Sequence, residues 1–96
     1  MSLGWHAGRK LRRAVDGLRR VLAVEVLTAA RALDFRAPLQ PGPVTGAARA
    51  VVRTVVDGPG PDRHLAPEID AVVDLLERHT FTDAVEPAVA AAVARP

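Results

Sequence analysis

A chain of 96 residues with no cysteine, one Trp, two Phe and no Tyr is one small domain's worth of sequence, and its composition excludes a disulfide framework, thiolate metal sites and an aromatic platform for stacking bases. Thirteen Lys and Arg against eleven Asp and Glu leave a formal charge of +2, too slight to define a partner. Abundant Ala, Val, Leu and Arg favour an all-α fold.

The first predicted element is one long helix over about 4–34. Leu11, Val15, Leu18, Leu22, Val26, Ala29 and Leu33 recur at spacings of three and four and lay one stripe along it. Such a helix is a rod of roughly 45 Å, against a radius of gyration of about 13 Å for a compact domain of this size. Its second half, Val21 to Ala30, is apolar on nearly every side, so partner subunits or further sequence must cover it. Gly8 and Gly17 each weaken the helix by roughly 1 kcal/mol relative to Ala, and Asp16 can pair with Arg12 and Arg20 at i±4. Glu25 has Val21 and Ala29 at those positions, so a cation from elsewhere should meet it in a buried structural ion pair. The run is too short for a bilayer span and is interrupted by Glu25 and Arg31. Asp16 and Glu25 also argue against a targeting peptide, which leaves a cytoplasmic chain as the expectation. Arg9, Lys10, Arg12, Arg13, Arg19 and Arg20 make the start of the helix basic, while the chain from Asp57 onward is acid-rich. A solvated helix entrance is the main reading of that cluster and a nucleic-acid-binding helix the minor one.

Ala37 to Val44, with Pro38, Pro41, Gly42 and Pro43, reads as a loop. A second helix is predicted over about 46–56, with Thr45 as N-cap and Ala47, Ala50, Val51, Thr54 and Val55 as its packing face. Asp57-Gly-Pro-Gly-Pro-Asp62 is a stiff turn rather than a phosphate cradle, because Pro59 and Pro61 lack backbone N–H groups. A third helix follows over about 67–79, with Pro67 in its first turn, Glu68 and Asp70 near its positive end, and Ile69, Val72, Val73 and Leu76 on one face. Phe81 should fold back onto that face, and Ala88 to Ala94 is helix-prone, giving a tail over 88–96 that frays. No internal repeat divides residues 1–96.

No side-chain constellation for chemistry stands out. His6, His64 and His79 are far apart and in no metal-ligand spacing. Ser2 is the only serine and has no nucleophile elbow around it. Thr28 should bond back along its own helix, and Asp70 with Asp74 reads as a solvated face. The sequence therefore offers no catalytic, cofactor-binding or metal residue.

The run Ser2-Leu-Gly-Trp-His-Ala-Gly-Arg-Lys-Leu-Arg-Arg-Ala-Val-Asp16, with Val21-Leu-Ala-Val-Glu-Val-Leu-Thr-Ala-Ala-Arg-Ala-Leu-Asp-Phe-Arg36, closely resembles the C-terminal part of the histidine ammonia-lyases, within the aromatic amino acid lyase family. Gly58-Pro-Gly-Pro-Asp-Arg-His-Leu-Ala-Pro-Glu-Ile69 and Ala84-Val-Glu-Pro87 are similar to the next two segments of that tail, in the same order. The resemblance implies a C-terminal fragment of a largely helical, homotetrameric lyase bundle, which would supply the missing cover. It also implies a reaction, loss of ammonia from histidine to give urocanate, driven by a methylidene-imidazolone electrophile formed from an internal Ala-Ser-Gly, with a tyrosine as base.

None of that machinery maps onto these residues. Ala-Ser-Gly, Tyr and Asn are absent, the family's Gln-Glu-Asp stretch would lie upstream of Met1, and His6 stands where a small residue is expected after Gly-Trp. The expectation is a structural and oligomerisation segment, self-associating through the long helix or joining a lyase body, and without catalysis of its own. A separately encoded subunit that completes a two-chain ammonia-lyase is the alternative in the enzyme class. A small basic nucleic-acid-binding protein is the third reading.

Overall fold

A computed structural model describes residues 3–94. Within them the chain forms four helices and no strand: α1 Leu3–Phe35, α2 Pro43–Arg53, α3 Ala66–Glu77 and α4 Thr80–Val93. The all-α expectation and the long first helix hold, and α1 with its 33 residues runs for about 50 Å.

α1 packs chiefly on α3 and α2 on α4, with α3 and α4 adjacent. The centre is small. Ala23, Ala30, Val52, Val56 and Val72 form the buried cluster, flanked by Val26, Leu27, Ile69, Val73, Leu76 and Phe81. Val52 and Val72 are the largest side chains wholly out of solvent. Ala23 and Ala30, seven residues apart, let the second half of α1 approach its neighbours closely. The first half touches none of this, and every residue from Leu3 to Leu18 is exposed.

The shape follows from that imbalance. The molecule measures 58 × 43 × 17 Å with a radius of gyration of 16.6 Å, against about 13 Å for a compact chain of similar length. Its accessible surface is 7145 Å², where a folded monomer of this mass exposes about 5,300 Å². The chain thus holds a plate of helices with roughly 1,800 Å² more surface than a self-sufficient domain would show.

Several local expectations are corrected. α2 begins at Pro43, capped by Gly42, and not after Thr45. Proline suits the first helical position because its missing N–H would have had no partner there. α2 also stops at Arg53 instead of 56: the Thr54 N–H donates to the Val51 carbonyl at 3.1 Å and the Val56 N–H to that of Val52 at 2.9 Å. This tightened turn swings Val56 into the core and leaves Ala50, Thr54 and Val55 outside, so the packing face is Val51, Val52 and Val56. α3 shows the predicted face and buries Leu75 as well.

Beyond α3 the chain does not trail off. His79 takes a left-handed conformation with φ of 57°, reversing direction so that α4 starts at once and Phe81, in its first turn, lies against the core. The predicted tail is helical as far as Val93, with Pro87 inside the helix. Residues 95 and 96 of that prediction lie outside the described residues.

Gly17 sits on open helix surface with nothing within 4 Å of where a Cβ would stand, and its φ is not positive. Gly17→Ala is expected to raise stability by about 1 kcal/mol, read as a higher denaturant midpoint with an unchanged slope.

Candidate functional site

Two features distinguish the surface: an arginine clamp that ties α1 to α2, and an apolar stripe along α1 that stays exposed from Leu11 to Leu22.

Asp34 in the last turn of α1 is the centre of the clamp, its side chain 10% exposed. Arg49 Nε donates to Asp34 Oδ1 at 2.7 Å, and Arg53 Nη2 donates to Asp34 Oδ2. Arg49 and Arg53 lie one turn apart on α2, so one carboxylate receives two guanidiniums from the same helix face. Burial pushes the Asp34 carboxyl up, but the hydrogen bonds from Arg49 and Arg53 together with their charges outweigh it and hold it below its ordinary value. A carboxylate at a helix C-terminus opposes the helix dipole, and the two cations offset that as well.

The Asp57–Asp62 turn is fastened in the same manner. Arg53 Nη1 donates to the Asp57 carbonyl at 3.1 Å, and Arg63 donates to the carbonyls of Gly58 and Asp57 at 3.1 and 2.9 Å and through Nε to Glu68. A recess of about 100 Å³ lies among Leu27, Thr28, Arg31, Arg53, Arg63 and Glu68. Sites for drug-sized molecules run from about 300 Å³, and both Arg53 and Arg63 are already engaged with the turn. Arg31 stacks over the Phe35 ring at 5.7 Å.

The exposed stripe is that of the sequence, with a changed role. Leu11 is 66% exposed, Leu18 57%, and Val15 and Leu22 38% each. From Leu11 to Leu22 the stripe therefore stays exposed to solvent. The buried face of α1, through Ala23 and Ala30, lies about 100° round the helix from it. Further along, Val26, Ala29 and Leu33 line an apolar recess of about 140 Å³ closed by Ala48, Val52 and Phe81. Stripe and recess form one continuous apolar track.

Other predicted positions fall as follows. Glu25 is exposed, and the buried ion pair expected for it is not formed among the described residues. Asp16 pairs with Arg19 at 3.4 Å, whereas Arg20 forks onto Asp70 of α3 at 2.9 and 3.0 Å. Asp74 pairs with Arg78. Thr28 donates to the Val24 carbonyl at 2.8 Å as expected. His6, Arg9, Lys10 and Arg13 share one open surface patch, and Ser2 lies outside the described residues. Among the described residues no group of three His, Asp or Glu is placed to hold a metal ion, and no helix is long and apolar enough to cross a membrane. The electrophile implied by the resemblance has no precursor here, since the only serine stands between Met1 and Leu3.

The aromatic amino acid lyase family matches residues 1–54, a stretch that contains α1, α2 and all three members of the clamp. The chain belongs to that family. A histidine ammonia-lyase of Streptomyces coelicolor is 54% identical over 72 residues, covering 74% of this lyase-family chain and 14% of the relative. One of Streptomyces griseus is 46% identical over 90 residues, covering 91% and 18%, and one of Shewanella oneidensis is 44% identical over 81 residues, covering 84% and 16%. This lyase-family chain thus spans less than a fifth of the length of these relatives. No solved structure matches it.

Sequence reasoning missed the clamp. Asp34 is 15 and 19 positions from Arg49 and Arg53, and no local pattern links residues so far apart. The one available signal was the pair of arginines at i and i+4 on a short helix otherwise made of small residues.

Proposed function

We propose that the chain is a C-terminal structural and assembly segment of a histidine ammonia-lyase-like protein, working in the cytoplasm and without catalysis of its own. The observation that carries this reading is the uncovered half of α1. Sixteen residues from Leu3 to Leu18 stand clear of the body, and an isolated helix of that length is marginal in water. An apolar stripe held on it makes physical sense when other helices cover it. The reaction of such a protein, histidine to urocanate and ammonia, belongs to the remainder of the lyase.

Two measurements test this. The purified chain is expected to release no urocanate from histidine, and measurable urocanate would refute the non-catalytic role. Co-expressed with a histidine ammonia-lyase body lacking its matching C-terminal segment, the chain should co-purify and protect the amides of residues 3–22 from exchange. Unchanged exchange there would remove the assembly role.

A further inference from the structure

We infer that the exposed half of α1 carries a second binding face, a basic ridge that takes the phosphate backbone of double-helical DNA. The inference goes beyond the assembly role above and uses the opposite side of the helix.

His6, Arg9, Lys10 and Arg13 stand at i, i+3, i+4 and i+7 and line one open patch, so four basic side chains share one face over two turns. At about 100° per residue this ridge is centred about 160° round α1 from the stripe of Leu11, Val15, Leu18 and Leu22. Contacts to the body through Ala23 and Ala30 fall between the two faces, about 100° from each. A helix that gives its stripe to other helices therefore still turns the ridge outward.

Among the described residues Arg9, Lys10, Arg12 and Arg13 make no ion pair, whereas Arg19 meets Asp16 and Arg20 meets Asp70. The first turn of α1 holds no acidic residue either. Arg9 with Arg12 and Arg13, and Lys10 with Arg13, are like charges at i+3 or i+4 that oppose the helix, and they stand toward the positive end of its dipole. A ligand that brings closely spaced negative charges relieves that repulsion.

The acid-rich part of the chain does not cancel the ridge. Asp70 and Glu77 of α3 meet α1 at Arg20 and Arg19. Arg13 and Arg9 lie about 9 and 15 Å further from Arg19 toward the N-terminus, beyond the screening length of roughly 8 Å in physiological salt.

The form of the nucleic acid follows from the neighbouring residues. Trp5 is the one indole or phenyl ring between Leu3 and Leu18, and single strands are held by successive aromatic side chains. A duplex asks only for its backbone, which carries one charge per roughly 1.7 Å of axis. The exposed helix is about 24 Å long and 10–12 Å wide, which the B-form major groove, about 12 Å across, admits. The deep, narrow groove of an RNA duplex does not. Phosphate contacts of this kind are indifferent to base sequence.

Fluorescence anisotropy of the 96-residue chain with a labelled DNA duplex of about 20 base pairs and arbitrary sequence tests the ridge. Arg9, Lys10 and Arg13 on three phosphates give a slope of log affinity against log salt of about −2.7, so binding should weaken about fortyfold between about 50 and 200 mM salt. Replacing all three by Gln should abolish that binding and leave helix content by circular dichroism unchanged. It should also raise the urea midpoint, because the repulsion leaves with the charges. Arg36→Gln, just past the other end of α1, should change affinity less than about twofold. Absent or salt-independent binding, equal binding after the triple replacement, equal affinity for an RNA duplex, or binding to phosphatidylserine vesicles and not to DNA would each overturn the inference. All of these outcomes leave the assembly role standing, since amide exchange with a lyase body tests it on the other face.

Discussion

Asp34→Asn lowers the stability of the chain by about 2 kcal/mol, the largest loss expected from any single polar substitution. Breaking a fully buried ion pair costs about 3–5 kcal/mol because the surviving charge has no partner. Here the Arg49 and Arg53 side chains keep 34% and 22% of their exposure, and water recovers part of that cost. The asparagine keeps the shape and one acceptor, so the loss reports the missing charge and not a cavity. Urea unfolding at fixed protein concentration measures it as a lower midpoint with unchanged slope.

The same carboxylate sets an acid limit. Its folded pKa lies below the ordinary 3.8, so its contribution is fully present above the unfolded value. That contribution begins to fade as the unfolded carboxyl takes up protons near 3.8, and it is gone once pH falls through the lower folded value. In the asparagine variant this part of the acid-induced loss disappears. A variant that kept the whole acid slope of the parent would place the titration elsewhere.

Ala23→Leu is the second large effect, a loss of about 2 kcal/mol through overpacking. Ala23 is 0% exposed, and it stands at the close approach of α1 to the core cluster around Val72. A leucine there must push the helices apart, and a core whose largest wholly enclosed side chains are valines has no slack to absorb it. The contrast with Gly17→Ala is diagnostic, since the same helix gains from an added methyl where it is bare and loses from added bulk where it is packed. Equal effects of the two substitutions would mean that α1 does not lie on the core through Ala23.

What the sequence made legible follows physical range. α1 was readable because more than thirty residues repeat one spacing, and α3 because Pro67, Glu68 and an apolar face agree. α2 was placed three residues late because Thr45 has the chemistry of a cap, while Gly42-Pro43 supplied the actual start through backbone geometry. The start of α4 went unread because it depends on His79 adopting a left-handed conformation, whereas the return of Phe81 to the core and the helical character of the following alanines were legible. Family membership was legible because ordered blocks of residues survive without any knowledge of packing. The clamp was not, because a carboxylate and two arginines meet only once the Pro38–Pro43 loop has brought α2 back beside α1. The stripe itself was legible, but its freedom from the body was not. Periodicity locates an apolar face without saying what covers it.

A plate 17 Å thick has almost no interior, and this bears on how it absorbs heat. The heat-capacity step of unfolding grows with the apolar surface newly wetted, about 1.2–1.4 kcal/mol/K for a compact chain of this length. Much of the apolar surface here is wet already. Calorimetry of the chain on its own should therefore show a shallow, broad endotherm with a step below that range. Once another molecule covers α1, the transition should sharpen, and its midpoint should climb with concentration.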